Sequence, residues 1–190
     1  MKKNSIWIIG VFLTQFGCSN VQRMDTTEVK EEMEGHKIRR ISPARIMEQV
    51  EVLGSKITII LTKDFEKQMK DASPNRTEEI CALKNMQVID SLSKKYKLTI
   101  RLLGQPDIGS NNSLYLKEKE VLEAYADNAM QKLPLSNNIQ SIDDSLFVYT
   151  APIGVDKGVG KLCFSDDSGF AIWSIVLKKA EVIKSIGSEK

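Results

Sequence analysis

The apolar positions change period along the chain, and each change marks an element. Between residues 42 and 72, Ile46, Val50, Leu53, Ile57, Ile60, Leu61 and Phe65 recur at spacings of three and four, the period of one helix face. Ser42-Pro43 precedes them, a capping hydroxyl followed by proline at the first helical position. A long amphipathic helix is predicted, weakened locally by the β-branched run 57–60. Ser73-Pro74 repeats the start signal. Ile80, Leu83, Val88, Leu92 and Tyr96 then predict a second helix over 73–97, with Cys81 on or beside its buried stripe. Lys94, Lys95 and Lys97 suit the negative end of that helix.

The period then drops to two. "LTIRLL", 98–103, alternates and reads as a strand. "GQPDIGSNNS" carries the breakers of an exposed loop. Residues 114–132 return to the helical period, with Val121, Leu122, Tyr125 and Ala129 on one face. A hairpin is predicted next, 139–142 and 146–153, turning at Asp143-Asp144. "GVDKGVGK" reads as a glycine-rich turn, without the spacing or following helix of a phosphate-binding loop. "LCF" and "GFAIWSIVL" predict a last hairpin around residues 166–169, and 178–186 a short closing helix. Strands joined by tight turns, with helices on one side, indicate an α+β domain. A small antiparallel sheet with long N-terminal helices packed on it is also, by analogy, the plan of PAS-like sensor domains.

The chain ahead of this domain follows different rules. Lys2 and Lys3 precede an apolar run over 6–16, shorter than the ~20 residues a membrane span needs. Residues 1–17 therefore read as a secretory signal peptide. The run ends at Gly17-Cys18, which resembles a lipoprotein processing site. Gln15 stands where that motif prefers leucine, and an ordinary signal peptide with an incidental cysteine is the alternative. Residues 18–40, the lipidated Cys18 and a polar tether, are too poor in large apolar residues to bury a core. The chain's one histidine, His36, lies there. The sensor-type domain is then 41–190.

Removing 1–17 takes two lysines from a formal charge of +2, so the mature charge is about zero and offers nucleic acid no basic excess. With Cys18 acylated, Cys81 and Cys163 remain. In an exported protein an even pair permits a disulfide. No nucleophile–base pair or metal cluster can be assembled, because the histidine is in the tether, so no catalytic or metal residue is assigned. Asp143-Asp144 and Asp166-Asp167 suit turns better than acid–base work or a calcium loop. Trp173, Tyr125, Phe147, Tyr149 and Phe170 can line a pocket but default to core packing.

Several segments fall in a familiar order: "IMEQVEVLGSKI", "EEICALKNMQVIDSLSKKYKLTIRLL", "EKEVLEAYADNAMQKLPLSNNIQSIDDSLFVYTAPI", "LCF" and "GFAIWSI". Together with "VKEEMEGHKIRRIS" they resemble the PAS-like c-type haem domain family, including its Bacteroidota-type lipoprotein members, over residues 28–186. The resemblance implies a Cys-x-x-Cys-His site beyond "YTAPI", two thiols attaching haem and the histidine ligating iron, with a further sulfur ligand from the second helix. Cys163 matches the first attachment cysteine and Cys81 the helix cysteine. Asp166 and Asp167 stand where the second cysteine and the histidine belong. The family's Arg-Asn-Pro-like loop is replaced by "GQPDIGSNN", and the segment after the haem motif is shortened.

Haem iron takes imidazole, thiolate or thioether ligands, and aspartate is a hard oxygen donor that replaces them poorly. The resemblance therefore implies a degenerate member that has lost covalent haem, with no cofactor expected. Cys81 and Cys163 then have three readings: a disulfide joining the second helix to the sheet, two small buried hydrophobes, or a redox-sensing thiol pair. The function expected is an exported, lipid-anchored ligand-binding or interaction module facing the periplasm, not an enzyme. Its partners are the membrane, through the anchor, and an unknown small ligand or envelope protein. The alternatives are a haem-binding redox or gas sensor using Cys81 and Cys163, with His36 another possible non-covalent ligand, and a structural envelope lipoprotein.

Overall fold

Proline and a capping serine start both early helices as the sequence requires. In the computed structural model, which describes residues 41–190 apart from 71, 156–157, 165–168 and 189–190, helix α1 spans Pro43–Met69 and α2 spans Pro74–Cys81. Ser42 and Ser73 sit in extended conformation, and their hydroxyls accept the Arg45 and Arg76 backbone N–H at 3.3 and 3.4 Å. Each thereby satisfies one donor that the helix start leaves open.

The second predicted helix is broken in two. α2 stops at Cys81, Leu83 and Asn85 take positive φ (58° and 55°), and α3 runs from Gln87 to Tyr96. The apolar period passes through the break because Ile80, Met86 and Leu92 all enter the same core cluster. α3 ends on a left-handed Lys97. Next come β1 (Thr99–Gly104), a single turn α4 (Asp107–Ser110), α5 (Leu116–Met130), β2 (Asn138–Ile142), β3 (Leu146–Ile153), α6 (Gly158–Cys163), β4 (Ala171–Lys178) and α7 (Lys179–Ser188). The β2–β3 turn passes through Asp143 with φ 50°, a conformation aspartate tolerates.

"LCF" is not a strand. Leu162 and Cys163 close α6, and β4 pairs with β1 and β3 instead of with a preceding hairpin arm. Two of the three glycines that suggested a turn, Gly158 and Gly160, lie within α6. Gly158 takes φ +57°, and a Cβ on Gly160 would collide with the Gly154 carbonyl, so only glycine lets α6 sit down on the end of β3.

The sheet is antiparallel throughout, in the order β1-β4-β3-β2. The fold is α+β. Helices cover both faces, where the sequence placed them on one. Every residue of β4 from Ala171 to Leu177 is buried. Its odd-numbered Trp173, Ile175 and Leu177 join Phe65, Phe147 and Tyr149 in the larger core under α1, α2, α3, α6 and α7. On the opposite face, Ile172 joins Leu103, Leu122, Tyr125 and Phe170 under α5. Val176 packs with Val148 and Ile142 in a third cluster. Among the described residues no helix is long and apolar enough to cross a membrane.

Candidate functional site

The two matched cysteines meet. Cys81, the last residue of α2, is bonded to Cys163, the last residue of α6, with their Cα atoms 5.3 Å apart, inside the range that a disulfide spans without backbone movement. Two features place them. The split of the second helix leaves Cys81 at a helix end, and the glycine-rich segment folds as α6 to deliver Cys163. Both cysteines are half-buried. Bonded to each other, the sulfurs are neither thiolate ligands for iron nor nucleophiles for haem vinyl groups. Cys18, His36, Asp166 and Asp167 lie outside the described residues.

Side chains fill the space between α2 and the sheet. Phe65, Ile80 and Trp173 are fully buried and Met86 nearly so. The Phe65 and Trp173 rings meet edge to face, centroids 5.1 Å apart, and the indole N–H donates to the Thr62 hydroxyl at 3.3 Å. The Phe164 ring lies on Gly104, where any Cβ would overlap it. Tyr125, Phe147, Tyr149 and Phe170 are likewise core residues.

The α5 face of the sheet holds a polar cluster that sequence reasoning did not single out. Glu118 is 2% exposed. It accepts two bonds from the Arg101 guanidinium at 2.6 and 2.9 Å, one from the Ser174 hydroxyl at 2.8 Å and one from the Tyr115 backbone N–H at 3.0 Å. The available signal was Arg101 itself, which shares the inward face of β1 with Leu103 and needs an anion there. The carboxylate's acceptor sites are taken, so this cluster fixes α5 on the sheet and has no valence left for a substrate. Nearby, the Tyr125 hydroxyl donates to the Ser136 carbonyl at 2.7 Å and lies 2.9 Å from the Thr150 hydroxyl. Burial raises its pKa.

Among the described residues, the buried side-chain group left without a hydrogen bond is the Tyr149 hydroxyl. The Tyr149 ring covers Gly54 of α1, where a methyl group would overlap it. Burial, reinforced by the Glu51 carboxylate, pushes the phenol pKa up to about 12. Ser55 lies close enough to oppose that shift without forming a bond of acceptable geometry.

Open concavities remain on the surface. A cleft of about 290 Å³ between α5 and β2 is lined by Glu120, Asn128, Asn138 and Gln140 around Tyr125. A groove of about 310 Å³ between α1, α3, the end of β4 and α7 has an apolar floor and lysines on its rim. Among the described residues no three His, Cys, Asp or Glu side chains are grouped to hold a metal ion. No protein-family model, curated protein or solved structure matches the chain.

Proposed function

We propose that this chain is an exported, lipid-anchored binding or interaction module of the cell envelope, facing the periplasm. In this reading it is a PAS-like haem domain in which the haem attachment chemistry has given way to a crosslink, and it is not an enzyme. The observation that carries it is the Cys81–Cys163 disulfide. Such a bond suits an oxidising compartment, as does the export signal read in residues 1–17. It also occupies the one attachment sulfur that remains, Cys163, and the helix sulfur, Cys81, that the resemblance assigns to iron. The packed interior around Phe65, Ile80 and Trp173 favours recognition at the surface over a cofactor held inside, and it equally suits a structural envelope lipoprotein.

The test is to export the protein in a host with a cytochrome c maturation system and to read its visible spectrum, thiol content and acylation together. The expected protein is colourless, has no free thiol at positions 81 or 163 after unfolding, and takes up labelled palmitate unless Cys18→Ala is present. A covalently retained Soret-absorbing pigment would overturn the loss of haem. Two titratable thiols would remove the disulfide argument, and label that survives Cys18→Ala would remove the anchor.

A further inference from the structure

The groove between α3 and α7 combines an apolar floor with concentrated charge of one sign. Leu53, Leu177 and Val182 form the floor, and Tyr96 forms one wall. Lys95, Lys178 and Lys184 stand on the rim, and Lys97 adjoins through its bridge to Glu181 at 3.4 Å. Glu181 is the groove's one carboxylate, and Lys184 also holds it, at 2.9 Å. Lys184 and Lys97, chiefly the former, keep it below the usual carboxylate range, so it stays ionised and neutralises one ammonium of four. Asp143 and Asp144 lie on the turn next to the end of β4, but no ion pair joins them to Lys178.

We propose that this lysine-rimmed groove docks the anionic headgroups of a membrane surface, a second contact beside the lipid anchor. The proposal rests on the reading of the chain as membrane-anchored. That anchor keeps anionic lipid close to the domain, and lysines rimming an apolar floor match the boundary between headgroup and acyl chain. A nucleic acid also carries phosphate but has no use for the apolar floor.

The probe is vesicles, and the protein is the mature chain 18–190 with Cys18→Ser, so that no acyl chain contributes. It is expected to sediment with phosphatidylglycerol-containing vesicles, not with pure phosphatidylcholine, and to release as salt rises. Each of Lys95→Gln, Lys178→Gln and Lys184→Gln lowers the partition about fivefold, as expected for one cation near an anionic surface. Lys117→Gln and Lys119→Gln, on α5, leave it unchanged. Melting curves of the variants report that they fold. Equal binding to neutral vesicles, no binding to either, equal loss in the α5 variants, or equally tight binding to a DNA duplex at the same salt would each overturn the proposal. None of these outcomes bears on the anchor, which stands or falls on the acylation of Cys18 in cells.

Discussion

Cutting the Cys81–Cys163 bond is the perturbation whose size the structure fixes best. The bond closes a loop with a sequence separation of 82, and the chain-entropy relation gives about 15 cal/mol/K for it, or about 4.5 kcal/mol at 25 °C. Measured disulfides deliver about 2–5 kcal/mol, so this one belongs near the upper end. In a domain of about 150 residues each kcal/mol moves Tm by about 2–4 °C. Reduction is therefore expected to lower Tm by roughly 10–15 °C. Scanning calorimetry on the mature protein, oxidised and then reduced with a phosphine, measures the change. Cys81→Ala/Cys163→Ala run in both buffers separates loss of the bond from any other effect of the reductant. The double variant should melt near the reduced protein and ignore the phosphine. If the oxidised and reduced forms melt within about 2 °C of each other, under 1 kcal/mol at this size, the loop-entropy reasoning is wrong here. α2 and α6 would then be held by packing alone.

Three other outcomes follow from the buried contacts. Glu118→Ala leaves Arg101 and Ser174 facing an empty site and should cost about 3 kcal/mol, read as a lower urea midpoint at unchanged m-value. Gly54→Ala drives a methyl group into the Tyr149 ring and should cost about 1–3 kcal/mol. Gly54→Ala/Tyr149→Leu should recover part of that loss, and a strictly additive double variant would refute the contact. Because the Tyr149 phenol titrates near 12 when folded and at its ordinary value of 10 when unfolded, the folded state holds its proton longer. Its contribution is complete below pH 10 and lost as pH rises toward 12. Tyr149→Phe should flatten that alkaline decline in urea midpoints and, by removing an unsatisfied hydroxyl, should not destabilise at neutral pH.

Much of the fold was legible because the dominant signals were local. The two Ser-Pro starts, the alternation around Ile100 and Leu102, and the Asp143 turn each act within a few residues, and β1, the β2–β3 hairpin and the first predicted helix followed from them. The errors share a cause. α6 is poor in helix formers, and what holds it is tertiary: buried Val159, the close seat of Gly160 and the bond at Cys163. The break after Cys81 was hidden because the helices on either side bury residues into one core, so the apolar period never lapses. Glu118 was missed because it stands among exposed charges at the start of α5, and only the strand below shows that its neighbour in space is Arg101. Cys81 and Cys163 were singled out by resemblance and counting, and their meeting depends on the two elements that local patterns misread.

The sheet order carries a consequence for how the chain is made. β4 lies between β1 and β3, yet of the four strands of this sheet it is synthesised last. Among the described residues β1 pairs only with β4, Thr99 opposite Val176, so it waits without a strand partner until residues 171–178 have emerged. A partial chain can hold helices and the β2–β3 hairpin but cannot close the sheet. Contacts this distant in sequence form slowly. A chain threaded N-terminus first through a narrow channel therefore cannot close this sheet until residues 171–178 have come through.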